Sequence, residues 1–381
     1  MPISTWGTID YYISRLTSNE DNPPLRIDIS NQSLNDNDAI RLADALLHSR
    51  NDSGIRCGSM LKILRLRGND ISSTGFLAIC EAIGGVADAS AELQVLDIGN
   101  NRVASNVDDF TFALYLLFSA APKLKYLDLA GNRIGLTINS DFQLSGEIIS
   151  MSEQYNVRLE SLNLSENFLC DRAVAHLAER MMLSKFKSTT RLNLSSNYIG
   201  SSGSRALADM IACNLPLQHL ILRHNFVGDA GCKLFASALK TNDTLLQLNL
   251  GYNRISSLGV RDLRRAVWNT TSLNTLATSN HSILLYWYHA DDFSSFEGNN
   301  NEDMLETEQI LLLHAIQKQH LNLPPIHQMK TALFLRQNFH VKHFHQDRMY
   351  IPGVLQFVSS HLGVDKLFQI IREMPLSVCA N

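Results

Sequence analysis

Three imidazoles cluster near the end of the chain, His340, His343 and His345 of "FHVKHFHQD", with Asp347 just behind them. Imidazoles and a carboxylate are the donor set of a zinc site. The spacing speaks against one: His-x-x-His-x-His is not a standard zinc pattern, and on a helix His340 and His343 share a side that His345 leaves. An ordinary polar segment is expected, with no metal and no cofactor. Phosphate chemistry lacks its loops, since neither G-x-x-x-x-G-K-[ST] nor G-x-G-x-x-G occurs. H-E-x-x-H and G-x-S-x-G are also missing, so the sequence offers no assembled active site and the expectation is a protein that is not an enzyme.

What the side chains do offer is recognition chemistry. Arg191, His219, Arg223, His224 and Tyr252 mix cationic and aromatic groups of the kind enriched in binding hot spots. Phe168, Tyr198, Phe226 and Arg254 recur at one position, immediately after an asparagine. The three rings either pack between neighbouring turns of the chain or meet a partner. Arg191 and Arg223 are also the candidates for an arginine inserted beside a nucleotide in a partner enzyme.

These residues are positioned by a repeat. "LNLSSNYIG" at 192–200 returns as "LILRHNFVG" and "LNLGYNRIS", and the template L-x-x-L-x-L-x-x-N-x-L fits six times and a seventh from Thr189 with its first leucine replaced. Its asparagines are Asn69, Asn101, Asn132, Asn167, Asn197, Asn225 and Asn253, with the spacing tightening to 28 residues at the C-terminal end. "RIDISNQSL" upstream, with Gln32 in place of the asparagine, and "LNTLATSNHSI" downstream are degraded ends, as a stacked array requires. Leu192 and Leu194 alternate around Asn193 as in a short strand. Counted from the glycine six residues past Asn69, Asn197, Asn225 and Asn253, the period becomes helical, with Ile79, Ala82 and Ile83, then Leu207, Met210 and Ile211, then Phe235, Ala238 and Leu239, then Leu263, Ala266 and Val267 forming one apolar stripe; the middle repeats lack that glycine and carry longer connections. One strand and one helix per unit predicts an α/β solenoid: a horseshoe with a parallel sheet on its concave face and helices outside. An asparagine amide both donates and accepts, so a ladder of them can satisfy the backbone where each strand ends.

"LNLSSNYIGSSGSRALADMI" and "LILRHNFVGDAGCKLFASAL", 28 residues apart, resemble the ribonuclease-inhibitor type of leucine-rich repeat over about residues 24–283. The resemblance implies the horseshoe. It also implies a protein that grips another protein in its hollow, a scaffold or interaction module; an alternative is a regulator of an enzyme, either an inhibitor or an activator of a small GTPase. The GTPase activators of this fold often end in a strongly acidic tail, whereas this chain ends "EMPLSVCAN". The ribonuclease inhibitors themselves are cysteine-rich and strongly acidic, unlike a chain with six cysteines and a net charge of -4.

The organisation expected is a cap segment at 1–23, the solenoid at 24–283, an acidic and asparagine-rich loop at 284–308 and a helical cap at 309–381 that covers the open end of the stack. A charge of -4 gives no general attraction to nucleic acid. "FALYLLFSAA" is too short to cross a bilayer, and no basic and apolar leader opens the sequence. Widely spaced cysteines without a C-x-x-C pair, and sequons such as Asn163-Leu-Ser165 and Asn193-Leu-Ser195 inside strands, fit a cytoplasmic protein.

Overall fold

The computed structural model describes residues 8–18, 23–51, 54–84, 91–136, 144–184 and 188–267, together with a strand at 284–286. The histidines 340, 343 and 345, residues 287–308 of the expected acidic loop and the segment at 309–381 lie outside the described residues, as does "LNTLATSNHSI"; the first three residues of that expected loop, Leu284–Tyr286, instead form a strand paired with the sheet. Among the described residues nine strands form a single sheet in which each pairs in parallel with the next in sequence: β1 (Arg26–Asp28), β2 (Ile63–Arg65), β3 (Val95–Asp97), β4 (Tyr126–Asp128), β5 (Ser161–Asn163), β6 (Arg191–Asn193), β7 (His219–Ile221), β8 (Gln247–Asn249) and β9 (Leu284–Tyr286). The register is uniform. Ile27, Leu64, Leu96, Leu127, Leu162, Leu192, Leu220, Leu248 and Leu285 stand side by side. From β1 to β8 that central residue is buried while its two neighbours are half-buried or exposed, so one sheet face packs and the other is open.

The packed face meets the helices. They are α1 (Ile9–Thr17), α2 (Asp36–His48), α3 (Cys57–Met60), α4 (Ser73–Gly84), α5 (Val107–Ala120), α6 (Leu144–Gln154), α7 (Asp171–Leu183), α8 (Ser201–Ala212), α9 (Gly228–Ala238) and α10 (Ser257–Val267). Every residue of the four sequence-derived stripes is buried, and together with the strand leucines they form one continuous core. Each such leucine or isoleucine is worth about 1.5–3 kcal/mol of transfer free energy, and the array sums these terms repeat by repeat. Strand then helix in strict alternation, with consecutive strands adjacent, is the α/β leucine-rich-repeat solenoid. No helix among the described residues is long and apolar enough to cross a membrane.

The asparagines join each repeat to the one before it. Asn197 Oδ1 accepts from the backbone N–H groups of Asn167 (3.1 Å) and Leu169 (2.9 Å), and its Nδ2 donates to the carbonyls of Leu164, Leu194 and Ser195 at 2.9–3.1 Å. Asn101, Asn132, Asn167, Asn225 and Asn253 repeat the pattern, each donating to the carbonyl of the preceding strand's exit. Asn69 does so toward Ile29 and accepts from Gln32 and Leu34, which integrates the degraded first repeat.

A second set of rungs runs along the helix N-termini, and the sequence reading did not find it. Asp36 accepts from the Ser72 backbone N–H (2.7 Å), Asp171 from Gly200 (2.6 Å) and Asp229 from Ser256 (2.8 Å), each reaching the next repeat. This explains the glycine six residues past the asparagine at Gly75, Gly203 and Gly259, while at Gly231 the close neighbours are Val227 and Ser204. A Cβ on Gly203 would fall 2.7 Å from Asp171 Oδ1, and one on Gly259 2.5 Å from Asp229 Oδ1. Among the described cysteines, Cys57, Cys80 and Cys232 are buried, Cys170 half-buried and Cys213 exposed, all free thiols. Burial, then the nearby carboxylates of Asp229 and Asp262, push the Cys232 thiol up to about 12.

Candidate interaction surface

The open sheet face divides into two halves of different chemistry. Over β1 to β4 it is a network of paired charges. Arg26 and Arg65 both reach Asp28, at 3.1 and 3.5 Å. Arg67 lies between Asp97 (3.8 Å) and Asp128 (3.2 Å), two repeats away, and Asn163 donates to Asp128 at 2.8 Å. Gly99 makes that reach possible, because a Cβ there would fall 2.5 Å from Arg67 Nη1. Burial, reinforced by the Asp128 carboxylate, pushes the Asp97 carboxyl above its ordinary range. Burial also acts upward on Asp28, but hydrogen bonds from Ser30, Arg26 and Arg65 outweigh it and hold that carboxyl low.

Over β6 to β8 the chemistry is cationic and aromatic. Register aligns Arg191, His219 and Gln247, and His219 Nδ1 lies 3.1 Å from Gln247 Oε1. Arg191 is exposed and touches neither partner stack described below. At the strand exits, His224 and Tyr252 stack with ring centroids 4.0 Å apart, and the Arg223 guanidinium lies over Tyr252 at 5.2 Å. Along the rim, Phe168, Tyr198 and Phe226 form a second stack with centroid spacings of 5.8 and 6.0 Å, closed by the Arg254 guanidinium 4.7 Å from the Phe226 ring. The rings therefore pack on one another between turns, as one of the two sequence readings has it. They nonetheless remain open to solvent: Tyr198 is 52% exposed and Phe226 41%. Seven of the nine residues singled out in the sequence thus lie in these two stacks, His219 pairs with Gln247 instead, and Arg191 stands alone.

The stack at the strand exits is held on unusual backbone. His224 (φ 54) and Tyr252 (φ 58) adopt the left-handed region at the position where Gly68 and Gly131 serve in earlier repeats. A non-glycine residue there costs roughly 1 kcal/mol, while a stacked ring pair returns about 0.5–1.5 kcal/mol. These nearly cancel. His224→Gly is therefore expected to shift urea-unfolding stability by no more than about 0.5 kcal/mol, whereas β-branched His224→Val should lose about 1–2 kcal/mol. A large loss in the glycine variant would instead make the ring stack a structural element.

Comparison with family models agrees with the fold. Segments 59–80, 120–137, 213–236 and 241–263 match the family model described as Leucine Rich repeat. The ribonuclease-inhibitor subtype is not singled out by these matches. No curated protein matches in sequence. Among solved structures the chain is similar to "Leiomodin-1 Actin-Binding Site 2 (ABS2)", at 18% identity over 56% of this chain and 92% of that one, with a TM-score of 0.33.

Proposed function

We propose that this protein is a non-enzymatic interaction module that holds a protein partner on its open sheet face, across β5 to β8 and the adjoining rim. The observation that carries the reading is the pair of solvent-facing ring stacks capped by guanidiniums, Phe168–Tyr198–Phe226–Arg254 and His224–Tyr252–Arg223. Rings and arginines in this arrangement are already ordered before a partner arrives, so little side-chain entropy is lost on binding. They are also the residue types that dominate binding energy at protein interfaces. The leucine-rich-repeat frame is, in general, a protein-interaction fold, which is the coarser class in which this reading falls.

Affinity capture from a native lysate tests it, comparing the intact chain with Arg223→Glu, Phe226→Ala, Tyr252→Ala combined. A partner retained by the intact chain and lost from a variant of unchanged melting temperature is the expected result. Retention of every partner by that variant would move the binding surface elsewhere.

A further inference from the structure

The arginines of the two halves are satisfied differently. On β1 to β4 the face arginines Arg26, Arg65 and Arg67 each meet an aspartate, and on the rim Arg102 meets Asp70 at 2.6 Å. From the loop after β4 onward, Arg133, Arg191, Arg223 and Arg254 pair with no carboxylate among the described residues. Glu166, just before the ladder asparagine Asn167, is exposed and forms no ion pair among the described residues. Arg223 and Arg254 lie over ring faces, which occupies the guanidinium plane and leaves the N–H edges free. Those edges are a fork of donors matched to a carboxylate.

The neutral amides point the same way. Asn193 Oδ1 accepts from the Ser195 backbone N–H (3.0 Å) and hydroxyl (2.7 Å), and Asn249 Oδ1 accepts from the Gly251 N–H (3.2 Å). Because a backbone N–H can only donate, the amide orientation is fixed: oxygen inward, Nδ2 toward the open face. Neither Nδ2 donates to any described residue, whereas the equivalent amide of Asn163 is taken by Asp128. On β6 to β8 the acceptors are used internally and the donors are left over.

We infer that the segment of the partner received by β6 to β8 is an extended, carboxylate-rich stretch of polypeptide, with Asp or Glu side chains on the edges of Arg223 and Arg254 and further acceptors on the amides of Asn193 and Asn249. This rests on the reading of the open face as the binding surface and names the chemistry it selects. A basic segment would be repelled by these guanidiniums, and a neutral one would offer them only uncharged acceptors, whose hydrogen bonds are roughly half as strong as those of a carboxylate. Arg67 and its aspartates, already paired, set the boundary of the site.

The test uses the full chain and a fluorescein-labelled peptide of about twelve residues, Glu alternating with Ser around one Tyr, read by anisotropy at roughly 50 and 300 mM salt. Beside it run a Gln-for-Glu peptide and a phosphoserine-for-Glu peptide. The Glu peptide is expected to bind roughly tenfold more tightly than the Gln peptide and to weaken with salt; Arg223→Gln and Arg254→Gln should each weaken it by about fivefold. Arg26→Gln should leave it unchanged, because β1 is six strand steps from β7, roughly 29 Å at about 4.8 Å per step, and screening acts within about 10 Å. Equal affinity for the Glu and Gln peptides, binding of the phosphoserine peptide alone, no binding, or full affinity in both arginine variants would each overturn the inference. The two proposals fail separately. A captured partner that is lost from the triple variant but is insensitive to salt and to competing Glu peptide removes the carboxylate chemistry and keeps the surface; a partner retained by the triple variant removes the surface.

Discussion

Asn197→Ala is expected to destabilise the protein by about 3–5 kcal/mol, more than any surface substitution on the binding face. The side chain is 4% exposed and makes five hydrogen bonds to the backbone of two repeats. Alanine would leave the N–H groups of Asn167 and Leu169 buried without an acceptor, each costing about 1–3 kcal/mol, and would open space too polar to close by collapse. The carbonyls suffer less, since Ser195 O already accepts from Glu166. Because each repeat is held chiefly by its neighbours, a break here falls in the middle of the array. Urea unfolding followed by circular dichroism should therefore show a lower midpoint and a broader transition, the two halves no longer unfolding as one unit. Asn69→Ala, half-buried beside the first repeat, should cost about half as much, with the transition still sharp. A loss below about 1 kcal/mol at Asn197 would mean that the loops find other partners and the ladder is incidental.

The ladder was legible because its cause lies in one residue type at one spacing. Leucine and asparagine recur where the core and the strand exits leave no alternative, and the helix stripes recur where helices meet the sheet. The aspartate rungs were not legible for the converse reason. In a single repeat Asp171 or Asp229 at a helix start looks like an ordinary helix-end residue, and only the distance to Gly200 or Ser256 shows that it binds the next repeat. The glycine they require was visible; its reason was not. On the open face, spacing placed the aromatic and cationic residues in rows, but not their partners. Arg67 reaches past the neighbouring strand to Asp128 because Gly99 has no side chain, a relation between three repeats. Likewise the His224–Tyr252 stack depends on left-handed backbone at both residues, which no alternation of apolar and polar positions encodes.

Gly135→Ala is expected to cost about 2–4 kcal/mol and, unlike Asn197→Ala, to weaken partner binding in the protein that still folds. Gly135 belongs to the short 3-10 turn Ile134–Leu136, and its N–H donates to the Asn167 carbonyl at 2.7 Å. A Cβ at Gly135 would press on the Phe168 carbonyl, 2.6 Å from its carbon and 2.9 Å from the Asn167 oxygen. Both obstacles are backbone, so no side-chain rotation relieves them. Nor can the turn retreat, because Ile134 is 1% exposed in the core. The loop that yields must be the one bearing Phe168, the first ring of the rim stack, so Tyr198 and Phe226 lose the neighbour that orders them. Gly228→Ala is the control. Its Cβ would meet nothing within 4 Å, and its φ of +58 leaves only the conformational cost, about 1 kcal/mol. Thermal unfolding of the two variants should therefore differ by roughly 1–3 kcal/mol, with the near-ultraviolet dichroism of the stacked rings altered only in Gly135→Ala. Equal losses would show that the repeat loops shift freely past one another, and in that case the rim rings would not be preordered, which would remove the physical ground for assigning them the partner.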